Sequence, residues 1–319
     1  MDIVVFRPHE LPVALGALRC TEPAPSPRQD HYLERLAELH DETLAASALP
    51  APSASETAAV ISAPHARERL VQLGVVMSMV DGSISAESIA RLGELDRVLG
   101  VREPAIATLR KVRARQDQRV QLDVMGRTAG KIVADAYRDT GVVGAFRIVL
   151  AFMQLFDDPA MTARFAALEH APADSLGHCL WRHCTERGLR LPGQRGGIPE
   201  RGLFHDLGHV LAGYDTDAEG ETLQQAFQAG FLRNGGFGHL LLGIIHFHMG
   251  IKITPVAAPT TGLFDVDKVL TALARGAACK VDLSVPEQFD FWAHAQQPLE
   301  HVRAELGVTP LQEALRTAA

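Results

Sequence analysis

Along most of the chain, apolar residues recur every three or four positions, and short runs of glycine, proline, serine and aspartate break the pattern. In "HYLERLAELHDETLAA" (31–46) the apolar spacing predicts an amphipathic helix. "SALPAPSASE" (47–56) reads as a linker, because alanine, proline and serine fill it without periodicity. "HARERLVQLGVVMSMV" (65–80) is helical again and runs into the turn "DGSIS". Ser85 fits the N-cap of "AESIARLGELDRVLG" (86–100), with Glu87 near the positive end of the dipole and Gly100 as the stop. "VREPAIATLRKVRARQ" (101–116) supplies another short helix.

Beyond residue 124 the helical period continues through 127–156, 159–169 and 175–189. A glycine-rich loop, "PGQRGGIPE" (192–200), interrupts it, and helical runs return at 221–233, 238–249, 265–279 and 288–306. Alternation of the strand type is confined to "DIVVF" (2–6) and "IKITPV" (251–256). The expected fold is all-α. It divides into an N-terminal segment with linker (1–56), a helical domain (57–118), connecting helices (119–146) and a second helical domain (147–310).

Composition narrows the function classes. Hydrophobic residues are 47% of 319, enough for a sizeable core, and only 6% are aromatic, which favours Ala- and Leu-rich helices. Lys and Arg total 31 against 38 Asp and Glu, and the one basic patch, Arg110, Lys111, Arg113 and Arg115, reads as a solvated helix face, so no nucleic-acid partner is expected. The four cysteines (Cys20, Cys179, Cys184 and Cys279) are too few for a disulfide framework. "MDIVVFRPHELP" has neither a secretory nor a transit pattern. The longest apolar stretch, "LLLGIIHFHMGI" (240–251), carries two histidines and suits a core helix better than a membrane span. The expected location is cytoplasmic, with peripheral contact on the inner membrane face still open.

The "DGSIS" turn invites a calcium reading. Placing Asp81 and Gly82 at the fifth and sixth loop positions puts Met77 and Met79 at the first and third, and thioethers are poor ligands for a hard cation. Calcium is therefore set aside.

The chemistry concentrates in "FHDLGHVLAGYDTDAEGE" (204–221). At about 100° per residue, His205, Asp206 and His209 fall at about 0°, 100° and 40° around a helix, so all three share one face. Gly213 suits the left-handed stop, and the segment after it can fold back to bring Glu221 in at the start of a new helix, with Glu219 as the alternative acid. Two neutral imidazoles and two carboxylates match zinc, with ferrous iron or manganese as further options. The zincin pattern differs in having Glu after the first His, and HD-type phosphohydrolases add an upstream His that has no convincing counterpart in this chain.

The stretch His205-Asp206-x-x-His209, eleven residues, then Glu221 resembles the signature of the ubiquinone-biosynthesis family Coq-four. "DDPAMTARFAALEHAPADSLGHCLWRHCTERGLRLP" resembles that family's opening helices, and "FDVDKVLTALARGAACKVDL" and "FWAHAQQPLEHVRAELGV" its closing ones. The resemblance implies a zinc held by His205, Asp206, His209 and Glu221, and an apolar cavity for a polyprenyl tail. It implies a prenylated aromatic or quinone lipid as ligand and other quinone-biosynthesis proteins as partners, in removing the C1 carboxylate or in scaffolding. Zinc is redox-inert, so an oxidative step needs dioxygen with a redox metal or another partner. Asp206, if not a ligand, is the candidate catalytic base. "MVDGSISAESIARLGELDRVLGV" resembles the TerB-like tellurite-resistance helical domain over 57–118. Two other function classes follow: a lipid-binding scaffold with a structural zinc, and a metal-dependent stress-response protein.

Other residues are assigned to structure. Cys179 and Cys184 are expected to pack, with His178 and His183 on the surface; His239, His246 and His248 are expected to be satisfied core histidines. Arg201, one turn before His205, could meet an anionic head group, and Arg275 and Arg303 are expected in surface salt bridges.

Overall fold

The computed structural model describes residues 1–152, 157–254, 257–311 and 314. Among them the chain forms 16 α-helices and no strand, as the dominant 3.6-residue period predicts. The first seven are α1 (Leu11–Thr21), α2 (Pro27–Glu38), α3 (Ala54–Val60), α4 (Pro64–Met77), α5 (Ala86–Leu99), α6 (Ala105–Arg113) and α7 (Asp117–Arg127). Then come α8 (Ala129–Phe152), α9 (Pro159–Ala166), α10 (Leu176–Glu186), α11 (Phe204–Ala212) and α12 (Ala218–Phe231). The last four are α13 (Gly236–Phe247), α14 (Val266–Ala278), α15 (Phe291–His294) and α16 (Leu299–Leu306).

Several boundaries differ from the sequence expectation, each for a local reason. Helix α1 escapes the periodicity test because six of its first eight residues are buried, which leaves no clean polar face. Helix α2 begins earlier than residue 31, at a Ser26–Gln29 capping box with Pro27 in the first turn, and the chain turns away at Asp41 with φ 58°. The stretch 47–56 is mostly exposed, as a linker would be, but it is tied down at two points. A Cβ on Gly16 would stand 2.2 Å from the Pro50 carbonyl oxygen, and a Ser53–Glu56 capping box opens α3. The run 127–156 is interrupted at Gly141 (φ 69°, ψ −159°), and residues 153–156 lie outside the described residues. The run 288–306 splits into α15 and α16 at Pro298, which has no N–H to continue a helix. "DIVVF" does not keep a strand alternation: Ile3 and Phe6, three positions apart, are buried while Val4 is 47% exposed, and no strand among the described residues pairs with it. Residues 251–254 form no strand either; 255 and 256 lie outside the described residues.

By internal contacts the chain divides into two compact units. One comprises residues 2–124 and 241–274, so the stretch 241–274 clusters with the N-terminal residues rather than with 147–240. Its core is built on Tyr32, Leu33, Leu36, Leu70 and Leu92, all buried. Ser85 caps α5 by accepting from the Ser88 amide at 2.8 Å, and Gly100 ends it at φ 72°. His248 accepts from the Phe264 amide at 3.1 Å and donates to the Met79 carbonyl at 3.0 Å. His246 accepts from the Ile253 amide at 2.8 Å and donates to the Ala257 carbonyl at 3.2 Å. Both rings have both nitrogens engaged and serve the core.

The second unit comprises Met1, residues 125–240 and residues 275–319. Here α10, α11 and α12 pack in succession. Phe227 and Phe231 are fully buried on α12, each worth roughly 1.5–3 kcal/mol of transfer free energy. No helix among the described residues is long and apolar enough to cross a membrane.

Candidate metal centre

The centre is built where α11 ends and α12 begins. Helix α11 stops at Gly213, which adopts φ 81° and ψ 16°, a conformation that costs a Cβ-bearing residue about 1 kcal/mol. The turn that follows is tight, since a Cβ on Gly220 would stand 2.1 Å from the Asp215 carbonyl oxygen. Asp217 caps α12 by accepting from the Gly220 amide at 2.7 Å, and this puts Glu221 in the first turn. Gly208 lets the two helices close. A Cβ there would fall 1.9 Å from Gln224 Nε2, and that amide donates to the His205 carbonyl at 3.1 Å.

Three side chains converge. His205, His209 and Glu221 each offer one donor atom, and the three atoms lie within 4.8 Å of one another. Nε2 of His205 is 3.4 Å from Glu221 Oε2, and Nε2 of His209 is 3.4 Å from Glu221 Oε1. The two rings stand perpendicular with centroids 4.9 Å apart. Each Nδ1 is occupied on the far side: that of His209 donates to the Tyr214 carbonyl at 3.1 Å, and that of His205 to Gln228 Oε1 at 3.0 Å. With the proton on Nδ1, each Nε2 keeps its lone pair for the centre.

Without a bound ion a proton on His205 Nε2 occupies the position facing Glu221, and a cation would have to displace it. Burial works against a charge on His205, yet the hydrogen bond and charge of Glu221 hold its pKa up at about 9. Burial also opposes ionisation of Glu221, and the two imidazoles override it, so its carboxyl titrates well below the usual range. Nε2 of His209 is fully buried without a hydrogen-bond partner. A buried, unpaired lone pair is costly, and a cation bound by both Glu221 and His205 would satisfy it. These residues fit a divalent metal of the zinc, ferrous-iron or manganese type.

Asp206 does not join this convergence, although it was expected as a fourth ligand. It is 6% exposed and 100° round the helix from His205; burial raises its carboxyl pKa, and the charges of His205 and His209 pull it down. Glu219, the alternative acid, is exposed and outside the group.

Two arginines hold the helix that carries the histidines. Arg275 is 6% exposed; it donates to the Ala212 carbonyl at 2.9 Å, to Tyr214 Oη at 2.6 Å and to the Thr309 carbonyl at 2.5 Å. Arg303 donates to the carbonyls of Val210 at 2.8 Å and Leu211 at 2.9 Å while pairing with Glu300. The two thus satisfy the last three carbonyls of α11 and place positive charge at its negative end. For Arg275 this corrects the surface salt-bridge expectation, and for Arg303 that expectation covers only the Glu300 contact. Spacing gave no hint of the role, because both residues come from distant segments.

His183 corrects another expectation. It is buried, its ring stacks on that of His209 at 5.3 Å, and its Nε2 has no hydrogen-bond partner. Burial first, then the neighbouring imidazoles, push its pKa down to about 3, so it stays neutral. Cys179 and Cys184 are packed thiols as expected: burial raises both, Cys184 to about 12. His239 is hydrogen-bonded as expected, its Nδ1 lying 2.7 Å from Gln228 Nε2, but it is half-buried and lines a cleft rather than the core. Gln228 itself was missed. The available signal was three glutamines, Gln224, Gln225 and Gln228, on a helix that is buried nearly all round.

Two clefts flank the centre, and both have predominantly polar linings. One includes Arg201, His239, Asn234 and Thr128, and the other His183, His209, Arg182 and Arg187. Neither is the apolar cavity expected for a prenyl tail. No protein-family model matches the chain, and no curated protein matches it.

Proposed function

We propose that the chain is a mononuclear divalent-metal protein whose centre is held by His205, His209 and Glu221. The carrying observation is the joint placement of two Nε2 atoms against the two oxygens of one carboxylate, with each Nδ1 committed elsewhere. Closed structural zinc sites use four protein ligands, whereas catalytic ones use three and keep a position open. Three converging donors therefore favour a working site over a clamp. A bound ion supplies Lewis acidity to an oxygen of the substrate.

The chain's own residues do the rest. Glu221 neutralises part of the ion's charge, while His205 and Glu221, with side chains 25% and 20% exposed, form the edge open to a ligand. His209, 1% exposed, anchors the inner side. Two imidazoles and a carboxylate also match the donor set of non-haem ferrous oxygenases, so the site is chemically compatible with an oxidative step as well as with zinc.

For the substrate class, the resemblance of the 204–221 motif supports a prenylated aromatic acid of quinone biosynthesis, in head-group decarboxylation or hydroxylation. A strain blocked at C1 removal, given the full-length chain, is expected to regain quinone measurable by mass spectrometry, and the His209→Ala chain is expected not to. Absence of rescue by the wild-type chain, or equal rescue by both, contradicts this reading.

A further inference from the structure

We propose that Gln228 is a positioning residue that locks His205 in its metal-ligating tautomer, and that His239 sets the orientation of the Gln228 amide. The inference rests on the metal reading above and extends it to the residues that make His205 a ligand.

The imidazole of His205 lies along α12 and is held at both nitrogens by side chains of that one helix. Glu221 meets Nε2 at 3.4 Å, and Gln228, seven residues on, meets Nδ1 at 3.0 Å. Seven residues is about two turns, so the two side chains share one face of α12. Gln224, between them, holds the His205 backbone carbonyl. Gln228 is 1% exposed, so its amide has no water to fall back on and its hydrogen-bond pattern is set by protein neighbours.

The amide can face His205 in two ways. With Oε1 towards Nδ1 it accepts a proton from that nitrogen, and Nε2 of the ring is free to ligate. With the NH₂ group towards Nδ1 it donates, which forces the ring proton onto Nε2 and closes that nitrogen to a cation. The first arrangement is the one present, and the remaining amide hydrogens point to His239, whose Nδ1 accepts at 2.7 Å. His239 is placed in turn by an edge-to-face contact with Phe204, the first residue of α11, at 6.2 Å. The chain Phe204–His239–Gln228–His205 thus returns to the helix that bears the ligand. Gln225 Oε1 is a second neighbour of His239 Nδ1, at 3.2 Å, and competes for it only when that nitrogen carries a proton.

The test uses the full-length protein and zinc alone. Affinity is measured by competition with a chelating dye, and the ligand field is read from the visible spectrum of the cobalt(II)-substituted protein. Gln228→Leu keeps the volume and removes both hydrogen bonds; it is expected to weaken zinc about 10–100-fold and to shift the cobalt spectrum. Gln228→Glu keeps an acceptor for Nδ1 and is expected to stay within about threefold of wild type, a rescue that a purely structural role would not produce. A metal-free readout accompanies these: two-bond proton–nitrogen NMR of apo protein at alkaline pH is expected to find His205 protonated on Nδ1 in wild type and on Nε2 in Gln228→Leu. Wild-type zinc binding with an unchanged affinity, spectrum and tautomer in Gln228→Leu overturns the inference while leaving the metal reading intact. If wild type binds no zinc, the metal reading itself fails and this proposal with it.

Discussion

The carbonyl oxygen of Tyr214 accepts a hydrogen bond from Nδ1 of His209 across 3.1 Å. The bond exists because the helix stops one residue earlier, at Gly213, and the chain turns back over its own last turn. A terminator that looks like simple helix punctuation thereby fixes the tautomer of a metal-facing histidine. The same turn delivers Glu221.

The ligand assignment makes a graded prediction. Glu221→Gln is expected to lower zinc affinity by more than about 100-fold, since it removes a coordinating charge, whereas Asp206→Asn is expected to lower it by about tenfold or less. Competition with a chelating dye measures both. Equal losses in the two variants would mean that Asp206 turns inward and ligates.

Arg275 should matter more for stability than its place near the C-terminus suggests. Its replacement by Met leaves the Ala212 and Thr309 carbonyls without their charged donor and is expected to cost about 3 kcal/mol in denaturant unfolding, with m unchanged. A loss within ~0.5 kcal/mol would show that the cap is dispensable.

How far these features were legible in the sequence follows from how local they are. The caps at Ser85 and Gly100, the stop at Gly213 and the pairing of His205 with His209 rest on spacings within one or two turns, and Glu221, twelve residues past His209, was legible only because one short turn joins the two helices. Arg275 and Arg303 reach α11 from more than sixty residues away, and His183 reaches His209 from a different helix. Such contacts leave no periodic trace. Asp206 misled for the opposite reason: a shared helical face of 100° is wide enough to admit a residue that does not reach the common point.

His183 offers a separate check on the number of ligands. His183→Phe preserves the stack on His209 and removes a buried nitrogen that has no hydrogen-bond partner. The variant is expected to retain zinc affinity within about threefold and to be as stable as wild type or more stable by about 1 kcal/mol. A loss of zinc beyond tenfold would make His183 a fourth ligand.

In the other unit, Glu22 carries a pH dependence. It is 8% exposed, accepts from Ser88 Oγ at 2.6 Å, and has its second oxygen buried without a partner. Burial raises its pKa above the usual value, with the Ser88 bond opposing. The folded protein therefore holds this proton more tightly than the unfolded chain. The associated stability is present at acidic pH, below the unfolded value, and is lost as pH rises through the folded one. Glu22→Gln, which mimics the protonated form, is expected to flatten the fall in melting temperature between mildly acidic and neutral pH. A variant whose profile overlays that of wild type would refute the assignment.

The central claim is most directly tested by calorimetric titration of the full-length apo protein with zinc, run beside His209→Ala. The account predicts one zinc per wild-type chain, an affinity that rises with pH up to about 9 as the His205 proton stops competing, and no comparable binding in the variant. Equal stoichiometry and affinity in the two proteins, or no zinc bound by wild type, would contradict it.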